Sequence, residues 1–170
     1  MRQLKLFKSV RAAISLDETA MFNAVLTDNG FRKWILDLNR SQLFKGEDSE
    51  GRELGDIGGG YSFTTEFLNE GVRFTFNPKS SEFGDVEGGS KGKEEGQSPF
   101  LLDTGEYYDS YTLTVGNGFF QISSDPIKDG QNLEDSFGDN LEGLQSENLQ
   151  KVIDAIKKEF TKEVRTLIAA

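Results

Sequence analysis

The chain has neither cysteine nor histidine and only 3 prolines in 170 residues. Without cysteine there is no thiol nucleophile, disulfide, zinc finger or iron–sulfur cluster, and nothing from which to read a redox compartment. Without histidine the side chain most used as a general base near neutral pH is missing. Most familiar catalytic constellations are therefore excluded. No stretch is long and apolar enough to span a bilayer. Lys8, Arg11, Asp17 and Glu18 interrupt any signal-peptide core in the basic amino-terminal stretch, so the expectation is a soluble product made in the cytoplasm. What is present in quantity is phenylalanine, 14 residues, and glycine, 19. That much aromatic surface needs burying, and the length suits one compact domain with a core.

Charge is distributed unevenly. The formal net charge is -10, but residues 1–45 carry 8 basic and 4 acidic side chains, residues 46–150 carry 6 and 22, and residues 151–170 carry 5 and 3. An acidic body lies between mildly basic ends. Such a body repels a phosphate backbone, which excludes tight DNA binding through clustered Lys and Arg. It suits either a solvated surface, or self-association in which basic ends meet acidic flanks, or a channel wall past which DNA slides.

Leu4, Phe7, Val10 and Ile14 have helical spacing and predict an amphipathic first helix. Asp17 is a plausible N-cap for a second helix holding Met21, Phe22, Val25 and Leu26, which Asn29-Gly30 would end or bend. A third, with Phe31, Trp34, Ile35 and Leu38 on one face, ends near Arg40, giving a helical layer over 2–44. Residues 45–60 lack apolar periodicity and read as an exposed loop with a flexible Gly58-Gly59-Gly60 end. A short helical turn starting at Ser62 or Thr64 precedes an alternating strand, Val72 to Phe76, closed by Pro78. Residues 79–98, glycine-rich and charged with only Phe83 and Val86 as apolar anchors, predict a projecting arm. Tyr111 to Val115, Gly116-Asn117-Gly118 and Phe119 to Ser123 form a hairpin with a three-residue connection. Leu133, Phe137, Leu141 and Leu144 could pin a short turn or helix. Ser146 then caps a long helix, 147–169, whose stripe is Leu149, Val152, Ile153, Ile156, Phe160, Val164, Leu167 and Ile168. The fold class is α+β: helices packed on one small antiparallel sheet within a single domain, 1–170, with sheet and loops over 45–145.

Phe100-Leu101-Leu102-Asp103-Thr104-Gly105 looks like the active-site turn of retroviral-type aspartic proteases, in which two aspartates share a proton across a dimer axis. The chain holds one copy, followed by Glu106 instead of a small residue, and lacks the downstream Ile-Gly-Arg type support. The alternative is structural, with Asp103 and Thr104 capping a turn through side-chain bonds to backbone while Gly105 supplies the bend. Asp48-Ser49-Glu50-Gly51 and Asp85-Val86-Glu87-Gly88 space oxygens as calcium loops do, without the glycine and glutamate an EF-hand places further on. The glycine clusters lack the Lys-Ser/Thr of a P-loop. Tyr61, Tyr107, Tyr108 and Tyr111 lack basic companions and read as core edge or subunit interface.

From Leu102 to Tyr111 the order Asp-Thr-Gly, Tyr107-Tyr108 and Ser110-Tyr111 leading into a strand resembles small neck or tail-completion proteins of tailed bacteriophages, especially those of Bacteroidales hosts and the crAss-like group. Upstream, the run Ile35 to Phe44, Asp48-Ser49-Glu50-Gly51, Leu54-Gly55, Tyr61-Ser62 and Thr64-Thr65 follow the family's order, as does Phe137-Gly138 before a final helix. The chain departs from the pattern at 66–100, where the family has a short basic segment. The resemblance implies a non-catalytic, ring-forming subunit of the head-to-tail connector at the head-tail junction of the virion, in 12 or 6 identical copies. Its neighbours would be the portal and other neck and tail proteins, with DNA passing through the lumen and no cofactor, metal, small-molecule substrate or membrane. The expected structural turn is Asp103, Thr104, Gly105, Tyr107, Tyr108, Ser110 and Tyr111; the expected interface is Phe83, Val86, Phe160, Val164, Leu167 and Ile168. An aspartic-type hydrolase using Asp103 and a small adaptor binding a host protein are the alternatives.

Overall fold

A computed structural model describes residues 17–128 and 130–169, without the side chains of 167–169. The predicted first helix, and the side chains of Leu167 and Ile168, lie outside the described residues. The fold is α+β: helices combine with three short, separate antiparallel ribbons, and the last element is a long helix.

Helix α1, Glu18–Thr27, starts where the Asp17 carboxylate accepts from the amides of Thr19 (3.0 Å) and Ala20 (3.1 Å). Asp28 both ends α1 and opens α2, Asn29–Lys45, accepting from the Phe31 amide at 2.8 Å. The break thus falls at Asp28, just before the expected Asn29-Gly30, and α2 runs five residues past Arg40. It ends at Gly46, whose φ of +93° is the left-handed region that glycine enters without strain.

Helix α2 is the axis of the molecule. Phe31, Trp34, Ile35, Leu38, Leu43 and Phe44 are buried, and so are Asp37, Asn39, Ser41 and Gln42. The buried polar side chains reach the surrounding loops. Asn39 donates to the Leu141 carbonyl (3.2 Å), Gln42 donates to the Gly143 carbonyl (2.8 Å) and accepts from the Gln145 amide (3.1 Å), and Ser41 donates to the Glu87 carbonyl (2.6 Å). From its partly buried flanks, Arg40 donates to the Tyr108 carbonyl (2.8 Å) and Arg32 to that of Leu113. Asp37 is held between Lys33 and Arg40.

The ribbons are separate, correcting the single three-stranded sheet. Strand β1, Phe74–Phe76, pairs with β2, Gly89–Lys91, matching Phe74 to Lys91. Strands β3, Thr112–Gly116, and β4, Phe119–Ser123, form the predicted hairpin, with Leu113 opposite Ile122 and Val115 opposite Phe120. Because Gly116 pairs with Phe119, the connection is the two-residue Asn117-Gly118, not three residues. Strands β5, Ile127–Lys128, and β6, Gln131–Asn132, make the third ribbon.

Residues 79–98 fold back on the body, contrary to the expected projecting arm. β2 belongs to this segment, and Phe83 packs edge-on against Phe31 with centroids 4.7 Å apart. The Lys91 ammonium lies 4.6 Å from the centre of the Phe100 ring, and that of Lys93 4.3 Å from Phe74, so both cations sit against the faces of an aromatic cluster. Residues 45–60 are likewise ordered. Leu54 is buried at the head of a short helix, α3, Leu54–Gly58. The supposedly flexible glycine end runs beside Gly96, where a Cβ on Gly60 would sit 2.7 Å from the Gly96 carbonyl oxygen.

The remaining helices are α4, Phe63–Leu68, capped by Ser62; α5, Glu106–Ser110; α6, Leu133–Phe137; and α7, Ser146–Ala169. Helix α7 rests on α1 and α2 through Val152 and Ala155. Leu149 and Ile153, expected in its buried stripe, are exposed.

Gln42→Ala removes the partner of one loop carbonyl and one loop amide in a fully buried setting. It should lower unfolding free energy by about 2–3 kcal/mol, read as a shifted denaturant midpoint.

Candidate interaction surfaces

The turn motif points inward. Tyr107, Tyr108 and Tyr111 are all buried. Tyr108 donates to the Phe100 carbonyl (2.6 Å) and Tyr111 to the Leu141 carbonyl (3.0 Å). The Tyr111 proton being committed, the 2.7 Å bond between the Tyr107 and Tyr111 hydroxyls is donated by Tyr107. Ser110 donates to the Tyr107 carbonyl (2.7 Å) and accepts from the Asp125 amide (3.0 Å). Gly105, at φ +93°, is the residue that lets α5 begin. These residues make a structural turn and a core, in keeping with the core-edge reading of Tyr107, Tyr108 and Tyr111 over the interface one.

Asp103 departs from the expected capping role. Thr104 accepts from the Glu106 amide at 3.4 Å, whereas the Asp103 carboxylate takes Lys93 (3.3 Å) and Lys128 (3.1 Å). It ties the segment just after β2 to the β5–β6 ribbon. Burial works against its charge, but the hydrogen bonds and attraction of Lys128 and Lys93 outweigh this and hold the carboxyl below its ordinary range. A proton-sharing dyad needs one carboxyl pushed up, the opposite direction. The adjoining cleft, about 310 Å³, is bounded by Gly58 to Tyr61, Leu101 and Phe137.

The calcium-like loop at Asp48 is self-satisfied. Asp48 is fully buried; its carboxylate accepts from the amides of Glu50 and Arg52, both at 2.9 Å, and from the Arg52 guanidinium at 2.7 Å. Its oxygens are spent on closing the loop. Among the described residues no three His, Cys, Asp or Glu side chains gather into a metal-binding group, and no helix is long and apolar enough to cross a membrane.

The expected interface residues divide. Phe83 and Val86 are partly buried and pack against the core. Phe160 and Val164 are half-buried on α7, and Phe160 lines an apolar groove of about 440 Å³ with Met21, Phe22, Val25 and Ile156. Leu167 and Ile168 cannot be placed among the described side chains.

The most exposed apolar surface was not singled out by sequence reasoning. Helix α4 has no buried residue, yet displays Phe63 and Phe67 at 64% and 65% exposure, their rings stacked with centroids 6.4 Å apart. Leu68 and Val72 continue it at 73% and 46%. A six-residue helix gains little from its own hydrogen bonds. Here the Ser62 hydroxyl, accepting from the Thr65 amide (3.2 Å), and Asn69, donating to the Thr65 carbonyl (2.7 Å), fix its ends. The available signal was two phenylalanines four residues apart beside a capping serine. Covering most of both rings would be worth on the order of 3 kcal/mol.

No family model, no curated protein and no solved structure matches this chain.

Two outcomes follow from these geometries. Asp103→Asn should cost under about 1 kcal/mol at neutral pH, because the side chain is 40% exposed. As the native carboxyl titrates below its unfolded value, that stabilisation is complete above about pH 4 and fades as pH falls, so the stability curves of wild type and variant should converge in acid. All four tyrosines of the chain are shifted the other way: burial pushes Tyr61 up to about 12 and also raises Tyr107, Tyr108 and Tyr111. Phenolate absorbance at about pH 10.5 should be weaker in the folded protein than in the unfolded chain and rise on unfolding. Since the unfolded chain releases those protons near pH 10, stability should decline above that value.

Proposed function

We propose that the chain is a structural assembly subunit: a ring-forming component of the head-to-tail connector of a tailed bacteriophage, set between portal and tail. The observation that carries the assembly part is the α4 face, an ordered helix with no buried side chain and two stacked phenylalanines in water. Large apolar side chains grouped in this way mark contact sites. The α1–α7 groove is a second apolar surface on other elements. A ring needs two different faces per subunit, because its contacts are head-to-tail.

The connector part rests on the resemblance over residues 31–168. The strongly acidic middle of the chain agrees with it, since a ring wall that repels phosphate lets DNA pass without sticking. The pairing of Asp103 with two lysines favours this reading over an Asp103 hydrolase.

Light scattering and negative-stain imaging of the purified chain, alone and with portal, should give closed rings of uniform copy number. A monomer under every condition, portal included, would overturn the proposal.

A further inference from the structure

We infer that the aromatic face of α4 receives the amino-terminal segment, residues 1–16, of a second copy of this chain. The inference rests on the assembly reading above and names the contact. The chemistry is complementary on both counts. Residues 1–16 carry Arg2, Lys5, Lys8 and Arg11 with no acidic side chain, and space Leu4, Phe7, Val10 and Ile14 as one apolar stripe.

The α4 face presents apolar rings beside carboxylates. A hollow of about 280 Å³ next to Val72 is lined by Glu66, Glu70 and Glu94. Its two cations are turned to other tasks, Arg73 donating to the Ser90 carbonyl and Lys93 to Asp103. Among the described residues no ion pair engages Glu70 or Glu94. The rings thus supply burial and the glutamates supply attraction and register to an incoming basic, apolar-striped segment.

The segment leads into α1, whose main contacts are α2, α7 and β3, and a second copy is taken as the occupant because assembly into a ring needs two different faces per chain. Donor segment and acceptor face are different parts of the chain, so each copy that binds one neighbour still offers its other half to the next. This is how a chain closes into a ring.

The test uses full-length protein and sedimentation velocity. Three variants are compared with wild type: Phe63→Ser with Phe67→Ser; Glu70→Lys with Glu94→Lys; and Lys5→Glu with Lys8→Glu and Arg11→Glu. Each should weaken self-association about tenfold or more while circular dichroism stays unchanged. Combining both charge reversals in one chain should restore it. Mixing the Phe63/Phe67 variant with the Lys5/Lys8/Arg11 variant should give a 1:1 pair, since one intact donor then meets one intact acceptor. If wild type assembles and the three variants assemble equally well, this contact is overturned while the assembly reading stands. If wild type is monomeric throughout, the assembly reading falls and takes the contact with it. Protection of residues 1–16 from protease in a monomer, independent of concentration, would mean docking within one chain and would also overturn the proposal.

Discussion

The structure depends on one helix that is buried on its polar side as well as its apolar side. Asn39, Ser41 and Gln42 could not sit inside α2 unless their hydrogen-bonding groups were met, because an unpaired buried amide or hydroxyl costs about 1–3 kcal/mol. Loop backbone meets them. The segments around Glu87, Leu141, Gly143 and Gln145 have few regular partners of their own, and each is satisfied by an α2 side chain. The exchange is mutual: the helix orders loops that could not order themselves, and the loops make the buried amides tolerable.

That arrangement explains why the strands stay short and apart. A sheet grows by pairing backbone with backbone, but here much loop backbone is already paired with side chains. The β1–β2 and β3–β4 ribbons meet α2 without merging, through Phe76 on Phe44 and the Arg32 bond to the Leu113 carbonyl. Phe100 joins the aromatic contact, meeting Phe44 and Tyr61 edge-on while accepting the Tyr108 hydroxyl at its carbonyl.

Elements whose side chains alternate between water and core were legible in the sequence. The boundaries at Asp17 and Ser62, the existence of the β3–β4 hairpin and the α7 helix follow from capping and periodicity alone, whereas the hairpin register does not, because Gly116 pairs with Phe119 instead of joining the turn. The segments misjudged were those whose order comes from distant partners. Residues 45–60 and 79–98 look like mobile loops because glycine and charge dominate them, yet Asp48 closes one loop on Arg52 and Ser41 grips the other at Glu87. Nothing local in Ser41 or Gln42 announces such a role, since both are ordinary on the wet face of a helix. At the turn motif the reading of Tyr107, Tyr108 and Tyr111 as core edge or interface left two alternatives open, and their burial agrees with the first, with carbonyls of Phe100 and Leu141 taking the hydroxyls of Tyr108 and Tyr111.

The same logic bears on the proposed assembly reading, which places function at the periphery. Residues that could do chemistry by type have been given internal partners: Asp48 its own loop, Asp103 two lysines, the tyrosines each other and the backbone. Helix α4 contributes no side chain to the core, and its Phe63 and Phe67 rings meet water. On the proposed assembly reading these rings are what a partner covers, since burial of apolar surface is what such a contact gains, and the glutamates beside them set the charge of that cover.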